Sequence, residues 1–187
     1  MDNAGFIRIS MFLGIFALMA LLEAWLPARQ SSLGRLSRWK GNLSMVVLGA
    51  LCSRVVLPAS LVGVSMWAQN EGIGVFNIVI INNWLAIGLC VLLLDMVIYW
   101  QHRLFHKIPL LWRIHKMHHA DSHVDTTTGL RFHPIEIVMS LFIKALVVVA
   151  FGVPAIAIVI FEVGLNGFAL FNHANIRLPQ KWDDRLG

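Results

Sequence analysis

The sequence predicts an all-α, polytopic membrane protein with a histidine-rich metal site at the edge of its helices. Composition is the first reason. Of 187 residues, 58% are hydrophobic and only 13% are charged, whereas a soluble domain carries about 25% charged residues. A globule of this size has too little interior to hide so much apolar side chain, so the bilayer has to serve as part of the solvent. Distribution is the second reason, because the apolar residues fall into runs of the length that a crossing of about 20 residues needs. The third is that the eight histidines all lie from His102 onward, after the third apolar run.

The runs can be taken in order. The first extends from Ile9 to Leu26 and stops at Pro27, with Glu23 near its end. A basic loop follows with Arg29, Arg35, Arg38 and Lys40. The second run, Leu43 to Ala68, contains Arg54 and Pro58. The third goes from Trp84 to about Gln101, and a polar block occupies 102–133. The region from Ile135 to Phe171 is broken near Gly152 and Pro154, which predicts a hairpin of two short helices. The expected fold is therefore three transmembrane helices plus a helical hairpin.

Charge sets the orientation. Basic residues collect on the cytoplasmic side of membrane proteins. The loop at 29–40, the block with Arg103, Lys107, Arg113 and Lys116, and the tail with Arg177, Lys181 and Arg185 are all basic. All three are expected in the cytoplasm, with the N-terminus on the other side, and the counting of crossings agrees. A multi-pass protein of a bacterial inner membrane fits this pattern. The formal charge of +5, lying in loops beside apolar runs, suits anionic lipid head groups rather than nucleic acid. Trp25, Trp67, Trp84, Trp100 and Trp112 stand near run ends, where interfacial anchors belong. Cys52 and Cys90 lie in apolar runs and imply no disulfide framework.

The chemistry sits in the polar block. His102 and His106 are four residues apart, one helical turn, and can face one ion together. Asp95 and Tyr99 continue that stripe into the apolar run. His115, His118 and His119 follow at i, i+3 and i+4 and again predict one shared face. A single histidine near a membrane is commonly a packed or hydrogen-bonded residue. Two same-face groups nine residues apart are a different matter. Neutral imidazole ligates iron, zinc, copper and nickel alike. Five imidazoles exceed one tetrahedral site, and with His173, and His133 as a further candidate, two metals become the simpler reading. His133 precedes Pro134 and equally suits a helix start. His123 has no partner at ligand spacing. Asp95, a carboxylate inside an apolar run, is expected to be functional by accepting a proton from a ligating imidazole, or else to pair with Arg54. Asp121 and Asp125 follow the second group and are candidates for orienting histidines. Arg131 and Glu136 flank His133 and are candidates to pair with each other.

The strings H-R-L-F-H, H-K-M-H-H and D-T-T-T-G-L-R-F-H-P-I-E resemble the fatty acid hydroxylase / sterol desaturase family of membrane di-iron oxygenases. The resemblance covers roughly Trp84 to Gly187. It divides the chain into N-terminal transmembrane helices with a basic loop (1–83) and a histidine-box, hydroxylase-like domain (84–187). It implies two iron ions, with zinc as a substitute in a purified sample, held by His102, His106, His115, His118, His119 and His173. It further implies O2, a fatty acid or sterol-like lipid substrate, an electron-donor protein, and hydroxylation or desaturation. The family carries a final H-x-x-H-H box, and this sequence stops at W-D-D-R-L-G before one. The C-terminal domain is thus expected to be incomplete, and the chain alone to bind about one ion and not to turn over. Two other classes compete. A membrane haem protein would pair histidines from two helices within the bilayer, and a divalent-metal transporter would place its site at the midplane on interrupted helices. Histidines clustered at the membrane edge favour neither.

Overall fold

In a computed structural model, residues 3–30, 34–179 and 181 are described. Ser32 of the basic loop, Arg185 of the basic tail and the W-D-D-R-L-G terminus lie outside the described residues. Helices are α1 (Ala4–Trp25), α2 (Arg35–Val56), α3 (Leu61–Asn70), α4 (Val75–Ile78), α5 (Asn83–Lys107), α6 (Pro109–His115), α7 (Pro134–Phe151) and α8 (Ala155–His173). Two 3-10 turns, His118–Ala120 and Thr126–Leu130, lie between α6 and α7. No strand occurs among the described residues.

Among the described residues, five apolar helical segments are long enough to cross a bilayer, with α2 and α3 counted together. At 1.5 Å per residue the 22 residues of α1 reach about 33 Å, close to the thickness of a hydrocarbon core. Proline fixes where the runs break. Leu57, just before Pro58, is extended (φ −131°, ψ 91°), as the clash with a proline ring requires. The chain then restarts as α3, where the Ser60 hydroxyl accepts from the Gly63 N–H at 3.1 Å. The third apolar run does not stop at Gln101. Its helix continues through the first histidine pair and ends only at Ile108, before Pro109 opens α6. Between α7 and α8 the turn forms at the expected place. Gly152 adopts a left-handed conformation (φ 65°) that closes α7, and Pro154 precedes the first turn of α8.

The α7–α8 hairpin is central. On one side α1 packs on α8 and α2 on α7, and on the other α5 packs on both. The interior of this packing includes Cys90, Leu94, Val148, Ala157, Ile158 and Phe161. One carboxyl group inside it is neutralised, because Glu162 Oε2 lies 2.6 Å from Arg8 Nε of α1. Trp25, Trp67, Trp84 and Trp100 stand well exposed near helix ends, the orientation that an interfacial anchor needs.

One end of the bundle gathers every histidine. The end of α1, the start of α2, the end of α5, the 118–133 segment and the end of α8 all meet there. Their contacts include Ala28 N–H to the Asn175 carbonyl, a bridge between Pro27 and Ile176, and Asn42 Nδ2 to Asp121 Oδ2 at 3.0 Å. The polar loop is pinned by paired charges. Arg38 lies 2.7 Å from Asp125, Asn42 donates to Thr127, and Asp125 caps the Thr126–Leu130 turn. Asp121 and Asp125 therefore hold the loop to α2 rather than orienting histidines. Burial opposes ionisation of Asp121. Donation from Asn42, Thr128 and the His123 N–H, with the charge of Arg38, outweighs it and holds the carboxyl below the usual range.

Candidate metal centre

Two helices deliver the first group. His102 and His106 project from the last turns of α5, and their Nε2 atoms lie 3.1 Å apart. His115, the last residue of α6, is fully buried and meets them from the side. Ligand atoms of His102, His106 and His115 all lie within 4.8 Å of one another. His119 closes the group, its Nε2 3.3 Å from that of His115. The second box is not one helix. α6 ends at His115, Lys116 and Met117 stay in the right-handed helical region, and His118–Ala120 is a 3-10 turn. The ring of His118 still lies against those of His115 and His119, 5.5 and 5.0 Å away centre to centre, so the three share one side as their spacing predicts. It also reaches the end of α8, where its Nε2 lies 3.1 Å from Nε2 of His173. The six predicted residues thus fall into two adjoining sets, with the His115 and His118 ring centres 5.5 Å apart.

The opposite ring nitrogens show why these rings point as they do. His115 Nδ1 lies 2.8 Å from Glu136 Oε1, His118 Nδ1 3.3 Å from the Arg131 carbonyl, and His173 Nδ1 2.8 Å from the Ala169 carbonyl. Each of those partners accepts, so each Nδ1 donates to it, and in the neutral ring Nε2 is the nitrogen left with a lone pair. Phe132 stacks flat on His118 at 4.6 Å and fixes its ring plane. Two lone pairs facing each other at 3.1 Å, as in His118 and His173, repel unless something positive joins them. Burial first, then the imidazoles of His173, His119 and His115, push His118 down to about 3, so that ring itself does not hold a positive charge at neutral pH. A metal cation fits. Two imidazole nitrogens at ~2.0–2.1 Å from one ion, at angles between square and tetrahedral, stand roughly 3–3.4 Å from each other. The pairs at 3.1–3.3 Å match that spacing. Anchoring the non-ligating nitrogen on a carboxyl or carbonyl is the usual support of a ligating histidine.

Other candidates lie elsewhere. His133 caps α7, its Nδ1 accepting from the Ile135 N–H at 3.2 Å. His123 reaches the Gln30 carbonyl in the loop. Asp95 stands on an exposed face of α5, and among the described residues no hydrogen bond or ion pair links it to a histidine or to Arg54. Arg54 instead donates to the Pro58 carbonyl four residues on. Arg131 and Glu136 do not pair, since Arg131 reaches Asn42 and Glu136 belongs to His115. The sequence signal for Glu136 was available only in part: it opens α7 just after the histidine block, but nothing local says that it faces α6. Neither of two cavities among the described residues forms an apolar channel behind the site. One lies between α1 and α8 beside Arg8 and Glu162, the other at the far end beside Gln69 and Asn77.

Fold and site together define an integral membrane protein with a polyhistidine centre compatible with a metal cofactor. Its C-terminal part matches the family model described as fatty acid hydroxylase over residues 87–186, more than half of the chain. The chain belongs to that family, whose members are oxidoreductases of the membrane hydroxylase and desaturase type. Comparison with curated proteins and with solved structures gave no match.

Proposed function

We propose that the protein is a membrane-bound di-iron enzyme that uses O2 to hydroxylate or desaturate an unactivated carbon of a fatty acid or sterol-like lipid. The observation that carries this reading is the pairing of Nε2 atoms at 3.1–3.3 Å while the Nδ1 atoms of His115, His118 and His173 are held by acceptors. His102, His106, His115 and His119 would hold one iron, and His118 and His173 would contribute to the second. Bound there, the irons would supply the oxidising power for a C–H bond that acid–base side chains do not break. The protein's own part is orientation. Glu136, the Arg131 carbonyl and the Ala169 carbonyl keep lone pairs aimed inward, and Phe132 restrains one ring. His102 and His106 remain exposed on the outer side of α5, near Tyr99 and Trp100, where a lipid arriving along the membrane edge can reach them.

Nitrogens that meet side by side, rather than across an ion from opposite faces, do not suit a bis-histidine haem. The site at one end of the bundle, rather than at its middle, does not suit a transporter. The oxidation also needs reducing equivalents, and an electron-donor protein is the partner that supplies them. Metal analysis of anaerobically purified protein tests the reading. Iron should be bound, or zinc after purification in air. His102→Ala and His119→Ala should each lower the bound metal while membrane insertion is unchanged. Unchanged metal in both variants would overturn it.

The histidine end is proposed to face the cytoplasm of a bacterial inner membrane. Arg29, Arg35, Lys40, Lys107, Lys116 and Arg177 are all exposed at that end, in keeping with the distribution of basic residues in such membranes. A Ser122→Cys variant with Cys52 and Cys90 replaced should resist an impermeant thiol reagent in intact cells and react after lysis. Labelling in intact cells would reverse the orientation.

A further inference from the structure

The buried carboxyl group of Glu23 has no part in the centre so far. It lies near the end of α1, outside the family match, and is 1% exposed. Among the described residues it makes no ion pair. One of its oxygens, Oε1, accepts two backbone N–H groups, that of Thr126 at 2.6 Å and that of Asn175 at 2.7 Å. These two donors come from the two segments that carry the second histidine set. Asn175 is two residues past His173. Thr126 opens the 3-10 turn whose end leads to Arg131, the carbonyl partner of His118.

We propose that Glu23 is a positioning residue for the His118–His173 pair. Its single oxygen ties the loop behind His118 to the chain behind His173 and so sets the separation at which their Nε2 atoms meet. This role rests on the reading of that pair as part of a metal centre. The ring nitrogens are 3.1 Å apart although the residues are 55 positions apart in sequence, and neither helix packing nor local capping fixes such a distance alone. Leu130, Leu170 and Met19 pack together beside the link, which brings both segments against α1. The carboxyl oxygen then selects the register. The first set, His102, His106, His115 and His119, is carried by α5, α6 and the 3-10 turn after it, and among the described residues none of these histidines hydrogen-bonds to α1.

The test separates positioning from general stability. Cobalt(II) or zinc(II) affinity of the full chain in detergent is measured by chelator competition. Glu23→Leu leaves both N–H groups without an acceptor and should weaken binding about 10- to 100-fold, the usual cost of losing a group that orients a ligand. Glu23→Gln keeps an oxygen at the same place and should stay within about threefold of the parent, because the two donors need only an acceptor. The loss should vanish when His173→Ala is already present and persist when His102→Ala is present, since only coupled residues depart from additivity. Glu23→Asp withdraws the oxygen by one C–C bond and should show the same coupling, which keeps the test open if the leucine variant does not fold. Equal loss in both histidine backgrounds, or a glutamine variant as poor as leucine, would overturn the proposal. A parent chain that binds neither cobalt nor zinc would instead overturn the metal-centre reading on which it rests.

Discussion

His115→Ala should abolish tight metal binding and destabilise the protein, and a second substitution should rescue only the stability. His115 is fully buried and touches more of the centre than any other histidine. Its Nε2 lies 3.3 Å from that of His119, and its ring packs against those of His102, His106 and His118. Removal should cost more than about 100-fold in affinity, above the loss expected for a merely orienting group. It also strands Glu136, which is 5% exposed and whose Oε2 already lacks a hydrogen-bond partner. A buried polar group left unpaired costs about 1–3 kcal/mol, whereas removing both partners is close to neutral. His115→Ala with Glu136→Leu should therefore recover most of the lost stability in thermal unfolding and none of the metal. Recovery of metal, or no recovery of stability, would show that the His115–Glu136 contact does not act in this way.

Much of this molecule can be read from its sequence because a membrane makes local composition decisive. Runs of about 20 apolar residues mark helices regardless of what they pack against. Gly152 and Pro154 mark the turn of the hairpin because a proline forbids the helical hydrogen bond, whereas Pro58 splits into α2 and α3 a run that reads as one. The pairing of His102 with His106 follows from one turn of α5. That of His115 with His119 survives a break in the helix, since a 3-10 turn displaces the later ring only modestly.

What lay beyond the sequence is everything decided by contact between distant segments. The i, i+3, i+4 spacing places His118 with His115 and His119, and its ring does lie beside both, but nothing in that spacing says that His118 Nε2 also meets that of His173. Arg131 and Glu136 are neighbours in sequence with opposite charges, which invites pairing. In the fold, Glu136 faces α6 and Arg131 faces α2, so they separate. Asp95 reads as a buried carboxylate because its run is apolar, but period alone does not say whether a helix face turns toward the bundle. Glu162 is the carboxylate that does turn inward, and its partner Arg8 is far away in sequence, on α1. Glu23 carried no signal beyond its place near a helix end.

Two glycine substitutions of the same size should have opposite effects. Gly129 lies in the Thr126–Leu130 turn where it crosses α8. A Cβ there would stand 2.6 Å from the Ala169 carbonyl oxygen and 3.2 Å from His173 Nδ1. That carbonyl is the acceptor that orients His173. Because the obstacle is helix backbone rather than a flexible side-chain tip, the turn has to lift off α8. Gly129→Ala should cost about 1–3 kcal/mol, the range for forcing extra volume into a packed site. It should also weaken metal binding about tenfold or more, through His118 and His173. Gly41 lies in α2, and a methyl group added there would meet nothing within 4 Å. Gly41→Ala should stabilise the helix by roughly 0.5–1 kcal/mol, because glycine loses more backbone freedom on folding, and leave metal affinity unchanged. Thermal unfolding and chelator competition on both variants decide the matter. If Gly129→Ala matches the parent in both measurements, the turn does not need its close approach to α8, and the fixing of His173 lies elsewhere.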